Sequence, residues 1–404
     1  VNGRAFPAAA RPHAALAATP SAREQNHGKI CVGADFDVRL IRLVLSDLHL
    51  GTGVPEGLLN PLEDFYYDER FAELLEHYDK SAGETVQIEL ILNGDIFDLL
   101  KVQLDGVWPT EITEQVAEEK LRLCLDGHPR FVAALRAFLS KPTRRLVYLP
   151  GNHDLDMWFP APQELFKRYV APGEASDRVR FITTSDTYFL PEGIQIRHGH
   201  QLEAIHRVDY QRMTRKRKDG VEVLDLPWGS LWILEVMNPA KLVKQHIDRV
   251  QPFRRFILGG LLFEPRFTLG FLLASVVHFL RHRIFTIRAW MERIRKLPSI
   301  VVEEIVHIGN YDSHAEHSLK KVRGAHTLIV GHSHAPRFRA LAGGKALVNT
   351  GTWMDMINLD LRYLGQASGL TYALIEYSDS GKPKTSLMRW HGNRDPMERV
   401  PYAD

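Results

Sequence analysis

Five short groups of residues in this chain have the types and spacing to hold metal ions. They are Asp47-Leu-His49, Gly94-Asp95, Gly151-Asn-His-Asp154, His198-Gly-His200 and Gly331-His-Ser-His334. Asp47 and His49 stand two residues apart, so both can face one side as a strand ends. Asp95 offers a carboxylate that can bridge two cations. Asn152 offers a neutral amide oxygen, and His198, His332 and His334 offer imidazole nitrogens. Mixed Asp/His/Asn ligation suits Mn²⁺, Fe²⁺, Zn²⁺ or Co²⁺ better than Ca²⁺, which prefers oxygen alone. The glycines at 94, 151 and 331 permit tight turns and close backbone approach to an ion or a phosphate.

The elements that must position these groups read as alternating strands and helices. Strands are predicted at Val38–Leu45, Val86–Leu92, Arg145–Leu149, Val179–Ile182, Ile194–Arg197, Thr327–Val330, Ala346–Val348 and Leu370–Tyr377. Each is short, rich in branched apolar residues, and bounded by polar residues. Helical periodicity appears around Phe71–His77, Glu114–Leu125 and Arg130–Leu139. This alternation argues for an α/β layered fold. Four of the five polar groups directly follow a predicted strand, and in open α/β sheets ligands collect at the carboxyl ends of strands.

The chain has 404 residues, 45% hydrophobic and 25% charged, which excludes collagen-like, wholly disordered and disulfide-scaffold classes. Its two cysteines, Cys31 and Cys124, are not expected to pair, and a reducing compartment fits best. The net charge of +2 hides an asymmetry: residues 201–300 hold 18 Lys and Arg against nine acidic residues, so the remainder carries −7. Such segregation points to an acidic partner, either nucleic acid or an anionic membrane surface. Residues 1–36, rich in Ala, Pro and Arg, are expected to be disordered.

The 201–300 stretch is expected to be a basic, apolar helical insert. It opens with the basic run Arg215-Lys-Arg-Lys218 and contains a long apolar region, Phe256–Leu280, broken at Glu264-Pro265-Arg266. The longest uncharged run, Phe267–Leu280, has 14 residues. As a helix it reaches about 21 Å, short of a bilayer core of roughly 30 Å, so a simple membrane span is not expected. Arg281–Lys296 interleaves Ile284, Ile287, Met291 and Ile294 with arginines, a basic amphipathic pattern.

Taken in order, the five groups resemble the calcineurin-like metallophosphoesterase superfamily, whose pattern runs D-x-H, G-D, G-N-H-D/E, a His, then G-H-x-H. Leu347-Val-Asn-Thr-Gly-Thr-Trp353 is similar to the family segment after the last His pair. The likeness covers roughly 38–205 and 300–378. It implies a four-layer α/β/β/α sandwich, with residues 37–200 and 301–395 forming the two parts of the domain, the insert beside the site and 396–404 a tail. It implies one metal held by Asp47, His49, Asp95 and His334, and a second held by Asp95, Asn152, His198 and His332. Manganese is the favoured metal. His153 would stand near the leaving group as a cation or general acid, with Asp154 orienting its ring. Motif order and the apolar insert are also similar to UDP-2,3-diacylglucosamine hydrolases, although those are much shorter and carry Arg where this chain has His153.

Other polar residues carry plainer expectations. Asp98 fits a role behind the metal ligands, orienting one of them, about as well as a surface turn or helix cap. Asp312, His314, Glu316 and His317 read as a solvated helix face, and His128, His206, His278 and His282 as structural. Cys124 is expected in the core. The resulting functional expectation is a dinuclear metal-dependent phosphoesterase or pyrophosphatase acting on a phosphorylated small molecule or lipid, leaning to a lipid-linked one. A nuclease, a nucleotide phosphodiesterase and a non-catalytic metal-binding scaffold are the alternatives. The expected location is cytoplasmic, peripheral on an anionic inner membrane face. Nucleic acid is the weaker partner expectation, and no protein partner is expected.

Overall fold

Leu43 and Leu45 on one side of the first strand and Val44 on the other are all fully buried. A strand with that pattern must be covered on both faces. This strand, β1 (Val38–Leu45), lies inside a seven-stranded sheet. The computed structural model describes residues 38–55, 58–284, 311–359, 365–378, 383–393 and 397–399. Residues 1–36, Cys31 and nearly all of the predicted amphipathic segment Arg281–Lys296 lie outside the described residues.

From β1 the chain runs through α1 (Asp68–Ala82) to β2 (Gln87–Asn93), then α2 (Glu114–Gly127) and α3 (Pro129–Leu139) to β3 (Arg144–Leu149). α4 (Pro160–Val170) leads to β4 (Val179–Phe181). These four strands are parallel, joined by crossovers. Thr113 caps α2 by accepting the Val116 N–H, and Pro129 and Pro160 open their helices where no backbone donor is needed.

The second sheet begins with β5 (Tyr188–Leu190) and β6 (Ile194–Ile196). The insert follows. It holds a hairpin, β7 (Thr214–Lys216) and β8 (Glu222–Leu224), then α5 (Trp228–Trp232), a π-turn at Ile233–Met237, and α6 (Asn238–Val243). The short β9 (Val250–Gln251) precedes two apolar helices, α7 (Phe253–Phe263) and α8 (Pro265–Phe279), and a second π-turn at Leu280–Ile284.

After it come α9 (Tyr311–Lys321), β10 (Thr327–Val330), β11 (Arg337–Leu341) and β12 (Lys345–Asn349). β13 (Asp355–Asn358) and β14 (Gly365–Ser368) join β9 in a small sheet. β15 (Thr371–Ser378), β16 (Lys384–Trp390) and β17 (Met397–Arg399) return antiparallel to complete the first sheet, in the order β17-β16-β15-β1-β2-β3-β4. The second sheet has the order β11-β12-β10-β6-β5.

The two sheets pack face to face. Val44, Ile91, Val147 and Ile375 from the first meet Ile196, Ile329 and Val348 from the second. α1, α3 and α4 cover the outer face of the first sheet through Phe71, Phe131, Leu135 and Phe166. α9 covers the second through Ala315 and Leu319. The architecture is the expected four-layer α/β/β/α sandwich.

The first part of the insert differs from the helical expectation. Residues 201–224 form short 3₁₀ turns and the β7–β8 hairpin. The reason is local: Asp219-Gly220 makes a turn, with Gly220 at φ 88°. Arg217 and Arg215 of the basic run are drawn across to Glu111. The later apolar region is helical as expected, and its break at Glu264-Pro265 separates α7 from α8.

Candidate metal centre

The strand pairing of β1 with β2 does not stop where the strands do. Asp47 N–H donates to Gly94 O at 3.0 Å, His49 N–H to Asp95 O at 3.0 Å, and Leu50 N–H to Ile96 O at 2.9 Å. The two loops therefore leave the sheet side by side and deliver Asp47, His49 and Asp95 together. The β3 loop brings Asn152 and His153, the β6 loop His198, and the β10 loop His332 and His334. Thr352 Oγ1 and the Trp353 N–H both donate to Asp47 O, so the segment after β12 braces the first loop.

Five of the candidate ligands adopt left-handed backbone: Asp47 (φ 54°), His49 (57°), Asp95 (52°), His332 (69°) and His334 (58°). For non-glycine residues such strain costs about 1–3 kcal/mol each and persists only where the surroundings enforce it. Clearance is equally tight. A Cβ at Gly151 would overlap the Asp95 carboxylate, and one at Gly331 would overlap that of Asp47.

Asp47, His49 and His334 converge as one donor group, and Asp95, His198 and His332 as another. His334 Nε2 lies 3.3 Å from Asp47 Oδ1, His49 Nε2 3.1 Å from His334 Nε2, and His198 Nε2 3.1 Å from Asp95 Oδ2. Asn152 Oδ1 is buried without a hydrogen-bond partner. Buried polar atoms without partners are costly, and a cation removes that cost. Burial pushes the His49 pKa down, which keeps its lone pair free. Burial opposes charge on His198 as well, yet Asp95 and Asp47 bring its pKa up to about 10. That pocket demands positive charge. The residues fit two divalent cations. Asp47, His49, Asp95 and His334 would hold one, and Asp95, Asn152, His198 and His332 the other.

Polar neighbours set the ring orientations. His198 Nδ1 faces Asn93 O at 2.9 Å, which turns Nε2 toward Asp95. Asp98 is fully buried and serves two rings: Oδ2 lies 3.2 Å from His49 Nδ1, and Oδ1 lies 2.8 Å from His153 Nδ1. The surface-turn alternative for Asp98 is thereby excluded. Burial works against a charged His153, but Asp98 and Asp95 outweigh it and bring its pKa up to about 9. Lys101 Nζ sits 2.8 Å from Asp98 Oδ2.

Asp154 does not have the partner expected of it. Its carboxylate accepts from Ile96 N–H at 2.9 Å, Tyr148 OH at 2.5 Å and Gly151 N–H at 2.5 Å. It ties the β3 loop to the β2 loop, and the His153 ring takes Asp98 instead. Burial holds the Asp154 pKa up at about 6.

Two residues near the site were not foreseen. Glu203 Oε2 lies 3.1 Å from His332 Nε2, and Lys101 is buried among Asp98, Asp64 and Asp248. Neither stands in a recognisable motif; only the tertiary fold brings them in. His200 is fully buried, and neither ring nitrogen has a hydrogen-bond partner. His206 stacks edge-on against His332. His128, buried between Asp68 and Glu63, and Cys124, buried in the core, are structural as expected. Of the α9 residues, Asp312 and Glu316 pair with Arg337 and Arg339.

A cavity of about 780 Å³ opens over the donors. His49, Asp95, Asn152, His153, His332 and His334 form one wall, and Trp232, Ile233, Met237, Val250 and Phe253 of the insert form another.

The sequence model of the family described as calcineurin-like phosphoesterase matches residues 42–254, more than half of the chain. No curated protein matches the chain. Solved structures with a distant likeness include a dimetal phosphatase from Danio rerio, at 10% identity and TM-score 0.36 over 91% of this chain and 100% of that one. A putative 5'-nucleotidase from Staphylococcus aureus shows 12% identity and TM-score 0.31 over 90% of this chain and 54% of that one. The family match takes in the loops of Asp47, Asp95, Asn152 and His198, and on that extent the chain belongs to the calcineurin-like phosphoesterase family.

Proposed function

We propose that this phosphoesterase hydrolyses a phosphoester or pyrophosphate bond in a substrate whose other part is a lipid or a similarly apolar group. The observation that carries the reading is the two-sided cavity, with metal-binding donors on one wall and Trp232, Ile233, Met237, Val250 and Phe253 on the other. Binding energy from an apolar chain on the second wall can hold the phosphoryl group in place at the first.

Two divalent cations, with manganese favoured, would supply Lewis-acid clamping of the phosphoryl oxygens and activation of the attacking water. The chain's own residues supply the rest. His153, at the cavity wall and held by Asp98, is placed to give a proton to the departing oxygen. Asp98 accepts from Nδ1–H, so the proton for donation is the second one, on Nε2 of the charged ring.

Charge on the insert favours a lipid over nucleic acid. Arg215 and Arg217 are engaged by Glu111, Asp219 and Asp225, and Arg337 and Arg339 at the cavity by Asp312 and Glu316. The α7–α8 hairpin carries exposed Leu258, Leu262, Phe263, Leu269, Leu273, Val276 and Val277. No described helix is long and apolar enough to cross a membrane. Together with exposed Arg254 and Arg266, this hairpin fits peripheral contact with an anionic bilayer.

The test is a chain-length series. Nucleotide–lipid pyrophosphates and lipid phosphates with shortened acyl chains are turned over in Mn²⁺ and mild detergent, beside a soluble nucleotide diester and single-stranded DNA. kcat/KM should fall about tenfold for each 1.4 kcal/mol of lost contact. Equal or faster turnover of the soluble diester or DNA would replace the lipid reading with the nuclease one.

A further inference from the structure

A second cluster of metal-binding side chains lies within the insert. Glu235 stands in the π-turn after α5, His278 near the end of α8, and His282 in the π-turn that follows. His278 Nδ1 lies 3.2 Å from Glu235 Oε2, and His282 Nε2 lies 3.2 Å from the same oxygen. The two rings are 4.3 Å apart. We infer that Glu235, His278 and His282 form a third metal site, built for one Zn²⁺-like cation, which fastens α8 to the wall of the catalytic cavity.

Three observations support this. The first is spacing. Zinc bonds to nitrogen and oxygen of about 2.0–2.1 Å in a tetrahedron put neighbouring ligand atoms about 3.3 Å apart. Both separations to Glu235 match that edge, as do the separations of 3.1 and 3.3 Å among the catalytic donors.

The second is register: His278 and His282 are four residues apart on one continuing helical segment, so both rings face the same neighbour. The third is backbone form. Glu235 and His282 each sit in a π-turn, a rare element that is frequently found at functional sites. Arg281 Nη1 lies 3.9 Å from Glu235 Oε2, and its side chain is mostly exposed.

The location gives the site a consequence. Trp232 and Ile233 line the cavity immediately before Glu235, and Trp232 Nε1–H donates to Ser275 Oγ of α8 at 3.1 Å. A cation shared by Glu235, His278 and His282 would add a second tie between the same two segments and stiffen the cavity's apolar wall. Three protein ligands leave one position for water.

The full chain is dialysed against micromolar Zn²⁺ and its metal counted by elemental analysis. The wild type is expected to bind three equivalents, and Glu235→Gln and His278→Ala/His282→Ala two. In Co²⁺-loaded protein, the same variants should lose one set of tetrahedral visible bands. Aryl phosphate hydrolysis should survive in all, which distinguishes this site from the catalytic pair. Glu235→Gln preserves shape and decides the matter if the double variant does not fold. Equal zinc content in wild type and Glu235→Gln would overturn the inference, whatever substrate the enzyme proves to prefer.

Discussion

Asp98 Oδ1 lies 2.8 Å from Nδ1 of His153. Because its other oxygen reaches His49 Nδ1 at 3.2 Å, one carboxylate orients both the His49 ring, a candidate metal ligand, and the His153 ring, proposed to face the leaving group. Removing it should disturb two functions together. Asp98→Asn should lower both metal affinity and kcat by about 10–100-fold, the usual effect of losing such a partner. His153→Asn should keep its metal and lower kcat by about 10²–10⁴-fold. The His153 loss should shrink with an activated aryl phosphate, whose leaving group needs little protonation. Metal analysis and a leaving-group series separate the two outcomes.

Gly151 and Gly331, with no Cβ, let their loops come close to the carboxylates of Asp95 and Asp47. A methyl group at either position would have to displace a buried carboxylate. Gly331→Ala is expected to lose metal and activity together. Its stability should fall by about 1–3 kcal/mol, the range for overpacking. Urea denaturation with parallel elemental analysis checks both.

The ligand loops could be read from the sequence because each pairs a strand end with a polar residue and a glycine or a second polar residue. Asp47, Asp95, Asn152, His198, His332 and His334 all follow strands whose apolar patterns were visible. Asp98 was ambiguous, since a carboxylate three residues after Asp95 can face inward or outward until Phe97 and Leu99 are known to be buried. Lys101 and Glu203 were not legible: each acquires meaning from a side chain far away in sequence. The β7–β8 hairpin was missed because a run of four basic residues says nothing about backbone form, while the Asp219-Gly220 turn does. β5, β9, β11, β13, β14, β16 and β17 were missed as well. β5, β11 and β17 are edge strands, β16 lies next to one, and β9, β13 and β14 make up a small three-stranded sheet; short and mixed sequences suffice at such places.

A buried ion pair offers a test of packing independent of catalysis. Lys120 Nζ lies 2.7 Å from Asp156 Oδ1, and both side chains are fully buried. Lys120→Met leaves an unpaired buried carboxylate and should cost about 3–5 kcal/mol. The double variant Lys120→Met/Asp156→Leu should regain most of that loss, because no charge is then left unpaired. Urea midpoints of the three proteins decide the point. A double variant as unstable as the single would show that the pair does more than neutralise itself.

His128 predicts a pH dependence of stability. Burial opposes its charge, but bonds to Asp68 and Glu63 prevail and raise its pKa to about 9 in the folded chain. A raised folded pKa means that folding favours the protonated ring. That contribution is complete below about pH 6.5, the free imidazole value, and disappears as pH rises through about 9. The stability difference between wild type and His128→Gln should therefore be largest near pH 6 and shrink toward pH 9. A difference that is constant across this range would assign the effect to packing alone.

The tip of the α7–α8 hairpin carries the membrane reading to a measurable point. Leu262 is 77% exposed and Phe263 84% exposed, next to the turn at Glu264-Pro265. Burying such side chains in a bilayer is worth about 1.5–3 kcal/mol each. Arg266 follows them across the turn and Arg254 lies about 12 Å back at the start of α7; both are exposed and would meet anionic headgroups. Leu262→Asp/Phe263→Asp should therefore weaken binding to anionic liposomes by at least about 10²-fold, while hydrolysis of a soluble aryl phosphate stays unchanged. Wild-type binding should also weaken as salt rises, since screening removes the electrostatic share. If the double variant sediments with vesicles as well as the wild type does, the hairpin tip is not the contact. If the wild type binds neutral and anionic vesicles alike at any salt, apolar insertion alone accounts for binding, and the arginines play no part in it.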